Sequence, residues 1–267
     1  MRPLAVIGNI ARDLFDGLPP RIGGGPYYAA RALRVLGRPA QILTRCAEAD
    51  REALLPDLVA LGVPVTCRSA ERTSTFAIRY NGERRFMQVE AIGHSWTPED
   101  VRDPALDGIE SVHVAPLLRS DFPAETLAEL SRGRRVSLDA QGLVRPARTG
   151  TLVLDADFDP EMLRHISILK LAEEEADALL DEVTAQTVAG LGVPEVLVTL
   201  GPRGSIVFAE GREEFVPAHE VRDVNPTGAG DAYTTAYLAA WSDGVAPVAA
   251  ARVATALVEG MLAGRLR

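Results

Sequence analysis

The sequence predicts an α/β fold built on a mostly parallel, doubly wound sheet, and three observations carry that prediction. Short apolar runs alternate with longer helical patterns along most of the chain. Glycines and acidic residues stand where those runs end, which is where ligands bind in such sheets. Between Val63 and Val89 the alternation gives way to paired β-like runs, which reads as a small separate sheet, a lid, set into the larger pattern.

Each element follows from its own residues. Leu4–Ile7 is a continuous apolar run closed by Gly8, as expected of a strand covered on both faces. Pro26 opens a helix that runs to Leu36. Tyr28, Ala29, Ala32, Leu33 and Leu36 share one face of it, Arg31 and Arg34 fall elsewhere, and Gly37 ends it. Ala40–Thr44 is the next strand, with a helix after it up to Leu61-Gly62. Thr73–Tyr80 and Glu83–Val89 flank Asn81-Gly82, a hairpin signal because both turn residues tolerate positive φ. Ser111–Ala115, Val136–Asp139, Ile166–Lys170 and Glu195–Thr199 are strands by the same reading. Pro123–Leu130, Glu173–Leu180 and Val183–Leu191 are helices. Ser205–Ala209 and Glu214–Val216 flank Gly211 as a second hairpin. Two Ala-rich helices, about Gly230–Trp241 and Pro247–Leu262, complete the pattern, and their small residues permit close packing on a sheet.

Composition narrows the function classes. Hydrophobic residues make up 47% of the 267, enough for a sizeable core. Lys and Arg total 28 against 37 Asp and Glu, a net charge of −9 with no basic block, which argues against nucleic acid as the main partner. Cys46 and Cys67 lack a metal-like spacing, and His94, His113, His165 and His219 are scattered, so neither type suggests a zinc site. No apolar run reaches the length of a membrane span, and the one near the start is too short for a secretion signal. A cytoplasmic location is the expectation.

The segment Val224-Asn225-Pro226-Thr227-Gly228-Ala229-Gly230-Asp231 carries the chemistry. Gly228, Ala229 and Gly230 have almost no side chain, so backbone N–H groups can meet a ligand directly. The helix that starts there adds the positive end of its dipole, making an anion site. Asp231 repels an anion, yet it suits a site in which a hydroxyl attacks phosphate and needs a base to take its proton. Other segments stay ambiguous on residues alone. Asp13 reads equally as the start of a turn, Gly23–Gly25 as a loop, Thr199–Gly204 as a hairpin turn, and Glu173–Glu175 as a solvated helix start. Asp139-Ala140-Gln141, with Arg145 beyond, is either substrate-facing or loop.

Taken together these segments resemble the ribokinase-like (PfkB) family of carbohydrate and nucleoside kinases, in order from about Leu4 to Gly260. Asn225–Asp231 resembles the family's specific C-terminal signature. Thr199-Leu200-Gly201-Pro202-Arg203-Gly204 resembles its nucleotide segment. Gly23-Gly24-Gly25-Pro26-Tyr27-Tyr28 resembles its N-terminal signature, Gly8–Asp13 its first strand end, and Lys170–Glu175 its Lys-Pro-Asn-x-x-Glu stretch. The resemblance implies a three-layer αβα domain over residues 1–267, with a small β lid formed by about 9–25 and 63–92. It implies an ATP-dependent transfer to a hydroxyl of a sugar, polyol or nucleoside. Asp231 would be the base and the N–H groups of Gly228, Ala229 and Gly230 the anion hole. Thr199, Gly201, Gly204 and Lys170 would bind the nucleotide, and Glu175 would organise Mg²⁺, through water. Asp13, Gly24, Gly25, Tyr28 and Gln141 would hold the acceptor. A homodimer through an exposed lid edge also fits.

Three positions depart from the family pattern. Asn225 replaces an Asp that often helps bind a monovalent cation, so that requirement does not carry over to this chain. Ala172 replaces an Asn that would assist phosphate or metal. Tyr28 replaces a common Asn and disfavours ribose itself; with Asp139-Ala140-Gln141 it leans toward the branch that includes inositol-kinase-like proteins. The alternative class is a catalytically weak or inactive member that binds nucleotide or sugar as a regulator, for which Asn225 and Ala172 speak. A dinucleotide-binding oxidoreductase is disfavoured, because Gly8–Asp13 lacks the Gly-x-Gly-x-x-Gly loop.

Overall fold

A computed structural model of the chain describes residues 1–81, 84–222 and 224–266. Its strands are β1 (Leu4–Ile7), β2 (Ala11–Phe15), β3 (Arg21–Gly23), β4 (Ala40–Ala47), β5 (Val65–Ala70), β6 (Ser74–Asn81), β7 (Arg84–Ala91), β8 (Ser111–Val114), β9 (Arg135–Asp139), β10 (Gly150–Thr151), β11 (Ile168–Ala172), β12 (Glu195–Thr199), β13 (Gly204–Ala209) and β14 (Arg212–Pro217). Its α-helices are α1 (Gly25–Leu36), α2 (Arg51–Val59), α3 (Ala124–Leu130), α4 (Gln141–Val144), α5 (Glu173–Leu179), α6 (Ala185–Ala189), α7 (Ala229–Ser242) and α8 (Pro247–Leu262).

The large sheet runs β14-β13-β12-β11-β9-β8-β1-β4-β5. From β12 to β5 every neighbouring pair is parallel, and β13 and β14 add an antiparallel hairpin at one edge. The alternation of side chains along β1 shows why helices cover both faces. Leu4 and Val6 enter one core with residues of α1, α2, α7 and α8, while Ala5 and Ile7 enter a second core with residues of α3, α5 and α6. That makes the three layers αβα. The chain winds outward from β1 through β4 and β5, then returns to build β8, β9, β11 and β12 on the other side of β1. The switch in direction falls between β1 and β8, and the carboxyl ends of these strands open the crevice where such sheets take ligands.

The small sheet runs β10-β7-β6-β2-β3. It uses the expected stretches around residues 11–23 and 74–91, and β10 from outside them. Val65–Ala70, inside the span expected for the lid, does not join it. That segment pairs in parallel with Ile42–Ala47 at the edge of the large sheet. The reason is connectivity: α2 carries the chain back to the start of β4, so the next strand completes a strand–helix–strand unit before the chain crosses over. The expected Asn81-Gly82 turn falls partly outside the described residues, at Gly82; the strands on either side pair antiparallel from Phe76↔Val89 to Asn81↔Arg84. The strand expected at Ile166–Lys170 lies two residues later, which sets Ala172 opposite Thr199. Among the described residues, no helix is long and apolar enough to cross a membrane.

Candidate active site

One end of the crevice is assembled by the start of α7. Gly228 caps that helix with φ 82°, and a methyl group there would collide with the ring of Tyr28, so two constraints call for glycine. Asn225 shapes the approach: its Oδ1 accepts from the Thr227 N–H at 3.0 Å and from the Thr227 hydroxyl at 2.6 Å. The first-turn N–H groups of Gly230 and Asp231 have no acceptor inside the helix, as at every helix start. The Ala229 N–H differs from the expected pattern, because it donates to the Pro226 carbonyl at 2.9 Å.

Asp231 projects from the first turn of α7 against the start of α1, where a methyl on Gly25 would stand 2.8 Å from its Oδ1. Below it lies a buried charge cluster. Lys170 Nζ, from the middle of β11, is 3.3 Å from Asp139 Oδ2 and 3.7 Å from Glu175 Oε2, and all three side chains are almost fully buried. A Cβ on Gly230 would sit 3.0 Å from the same ammonium, which places Lys170 under the start of α7. Burial alone would discharge Lys170, but Asp139, Glu175 and Asp231 outweigh it and hold its pKa above the ordinary value. Burial raises Asp231, the charge of Asp139 raises it further, and Lys170 and Arg145 oppose them; the carboxyl stands at about 7. Burial likewise raises Glu175, against the pull of Lys170. A carboxyl group poised near neutrality beside backbone donors can accept a proton from a hydroxyl.

The cleft in front of this cluster holds about 540 Å³. Among the residues predicted from sequence, it brings together Asp13, Gly24, Gly25, Tyr28, Gln141, Lys170, Glu175, Thr199, Gly201, Gly228, Ala229, Gly230 and Asp231. Gly204 lies outside it and lines an adjoining cleft of about 510 Å³, which Thr199, Gly201, Ala229 and Gly230 also border. Val221, Tyr233, Val258 and Leu262 give that second cleft an apolar wall. Glu175 is turned inward: its Oε2 accepts the Ala172 N–H at 2.7 Å, so residue 172 contributes a backbone donor to the helix start instead of a side-chain amide. The Thr199 hydroxyl donates to the Leu171 carbonyl at 3.2 Å.

A family model described as pfkB family carbohydrate kinase matches residues 20–258. The chain belongs to that family. The ribokinase of Bacillus subtilis (strain 168) is 28% identical to this pfkB-family chain over 208 residues, covering 76% of it and 67% of the relative. Inositol 3-kinase of Zea mays is 28% identical over 181 residues, covering 66% of this chain and 45% of that one. A solved structure of a pyrophosphate-dependent kinase in the ribokinase family, complexed with a pyrophosphate analog and myo-inositol, matches with a TM-score of 0.85 at 25% identity, over 97% of this chain and 94% of that one. The fold is ribokinase-like, and this pfkB-family chain is a phosphotransferase with an alcohol group as acceptor.

Sequence reasoning missed several residues in and beneath the cleft of this pfkB-family kinase. Asp139 was singled out only as part of a strand end; that it faces Lys170 depends on the pairing of β9 with β11. Phe76 and Met87 of the small sheet and Leu117 after β8 form an apolar wall of the cleft. The period-two alternation along the hairpin could have marked Phe76 and Met87 as inward-facing, whereas Leu117 lies in a loop with no pattern to give it away. Arg145, which the sequence marked only as lying beyond Asp139-Ala140-Gln141, does line the cleft, four positions after Gln141.

Proposed function

We propose that the protein transfers the terminal phosphoryl group of ATP to a hydroxyl of a small sugar, polyol or nucleoside. The observation that carries this reading is Asp231, a carboxyl at about 7 in the first turn of α7, beside the N–H groups that open the helix. The acceptor hydroxyl gives its proton to Asp231 as its oxygen bonds to phosphorus, and the donor's bridging P–O bond breaks with the electron pair leaving on the donor. Gly228 and Gly230 offer backbone donors to the transferring oxygens. Ala229 joins them only by sharing its bond to Pro226. Asp13 and Gln141 hold the acceptor's other hydroxyls, Gly24 and Gly25 let its ring approach the backbone, and Tyr28 offers it a face.

The adjoining cleft, bordered by Thr199, Gly201 and Gly204 and walled by apolar side chains, suits the planar base of a nucleotide. Lys170 supplies fixed positive charge beneath the phosphates. Among the described residues no three of His, Cys, Asp and Glu converge as a metal cage. Mg²⁺ is commonly held by substrate phosphates and waters with one or two carboxylates, and Glu175 fits as a partner through water. An ion held there would supply positive charge to the donor phosphates. The small sheet, whose Ala11, Asp13, Phe76 and Met87 wall the acceptor end, acts as a lid that excludes water during transfer.

A second donor, inorganic pyrophosphate, is favoured by the TM-score of 0.85 to the pyrophosphate-dependent structure, whose myo-inositol also supports a cyclic polyol as acceptor. One screen tests these readings: sugars, polyols including myo-inositol, and nucleosides, each with ATP and with pyrophosphate, scored by phosphorylated product. Turnover that falls by orders of magnitude in Asp231→Asn supports the base. Nucleotide binding with no turnover on any acceptor would replace the kinase reading with that of a regulatory binding protein.

A further inference from the structure

The charged groups around the reactive cleft fall into two sets. Glu173, Glu174 and Arg203 stand on the rim, where Arg203 pairs with Glu173, and Asp13 faces the acceptor end. The floor holds Asp139, Lys170, Glu175, Asp231 and Arg145. Four of those five are explained: Lys170 is bound to Asp139 and Glu175, and Asp231 opens α7 as the base. Arg145 is not. It lines the cleft, yet among the described residues its guanidinium enters no ion pair, and its Nε is buried without a hydrogen-bond partner. A guanidinium N–H removed from water and left without an acceptor is unfavourable, and such a group at a ligand cleft is explained by a ligand that supplies the acceptor.

The backbone beneath Arg145 is braced. Its N–H donates to the Gln141 carbonyl at 3.1 Å, closing the turn of α4. It leaves the helix with φ −94° and ψ 104°, as the following Pro146 requires. Its carbonyl accepts from the Arg119 N–H at 2.8 Å. The Arg119 side chain bonds the Leu143 carbonyl at 2.8 Å and pairs with Asp155. One arginine uses its Nε and Nη2 to fix the turn that presents the other.

Charge balance says what the presented group faces. Asp139, Glu175 and Asp231 set three acidic groups against the single ammonium of Lys170, so once Asp231 carries the ionised form that a base needs, a phosphate arriving at the start of α7 would meet surplus negative charge without a further cation. Resting on the kinase reading above, we propose that Arg145 binds the phosphoryl group being transferred and neutralises its charge between the acceptor hydroxyl and the Gly228–Gly230 backbone. The planar guanidinium fork matches two phosphoryl oxygens at once. Arg145 keeps its protons throughout: the acceptor proton goes to Asp231, and the donor leaves with the electron pair of the broken P–O bond. Its positive charge also bears on Asp231 and Glu175, lowering both.

The test uses Arg145→Met and Arg145→Lys in the full chain, each first checked for an unchanged thermal midpoint. Calorimetry with inorganic pyrophosphate and with β,γ-methylene-ATP reads donor binding without any acceptor. The Met variant should bind the better of the two probes more weakly by about tenfold or more, with partial recovery in the Lys variant. With a neutral acceptor, kcat should fall on the order of 10²–10³-fold while the acceptor KM stays nearly constant. The acid limb of its pH–rate profile should also move to higher pH, because a positive charge near Asp231 is gone. Equal probe affinity and an unmoved acid limb in an otherwise active Met variant overturn the proposal alone. A loss confined to the KM of anionic acceptors overturns it too, since the guanidinium would then read the acceptor. A native protein that binds neither probe and phosphorylates nothing overturns the kinase reading itself.

Discussion

Replacing Asp231 by Asn should stabilise the protein while nearly abolishing turnover, and the gain should depend on pH. Burial and the charge of Asp139 lift this carboxyl from 3.8 to about 7. A carboxyl raised in the folded state favours folding fully below its unfolded value, and that contribution is lost as pH rises through about 7. At about 1.4 kcal/mol per pH unit, keeping the ionised form folded at pH 8 costs up to about 4 kcal/mol relative to an exposed carboxylate. Asn keeps the shape of the neutral acid without the charge. The pull of Lys170 is already contained in the value of about 7; burying the N–H donors of the amide offsets part of the relief, so the expected gain at pH 8 is about 2–3 kcal/mol. At pH 5 the pH lies only slightly above the unfolded value, and the gain should shrink to roughly a third. Denaturant unfolding of both proteins at the two pH values measures the difference. A gain that is the same at both, or a loss at pH 8, would refute the claim that a strained carboxylate stands at the head of α7. The same titration fixes the acid limb of the native enzyme: at pH 6 only about a tenth of the sites carry the base form, and a limb near pH 4 would contradict it.

The neighbouring residues give three more expectations. Lys170→Met leaves Asp139 and Glu175 buried without their cation and should destabilise the fold by about 3–5 kcal/mol; denaturant unfolding checks it, and adding Asp139→Asn should recover part of the loss. Gly228→Ala forces a side chain into φ 82° and against the Tyr28 ring, so kcat should fall at least about tenfold at an αL strain of roughly 1–2 kcal/mol, and trimming Tyr28 to Ala in the same protein should restore stability more than turnover. Asn225→Asp preserves the acceptor oxygen that binds Thr227 while adding a carboxylate beside the loop; turnover in potassium and in sodium should be equal for the native protein and differ for the variant.

What could be read in the sequence is what is local in the chain. The α7 start was legible because Gly228, Ala229 and Gly230 announce a backbone that side chains would obstruct, and the collision between a residue-228 methyl and Tyr28 is that requirement in atomic form. The apolar run of β1 was legible because a strand covered on both faces has no polar positions to interrupt it. The parts that escaped depend on which strands become neighbours. Val65–Ala70 looks like lid by texture and belongs to the large sheet by pairing. Asp139 and Lys170 are 31 positions apart and meet only because β9 and β11 are adjacent, with Lys170 in register with Asp139. That pairing also explains how the family pattern tolerates Ala172. The helix start there is satisfied by Glu175, which takes the Ala172 N–H and leans on Lys170; the missing amide leaves no buried donor unmet at that point. Asn225 follows the same logic, since its amide oxygen makes both bonds to Thr227 that a carboxylate would make. Both departures therefore keep the backbone geometry of the site, but Ala172 removes only a neutral amide while Asn225 removes a charge, and charge is the quantity that the Asp231, Lys170 and Asn225 variants each measure.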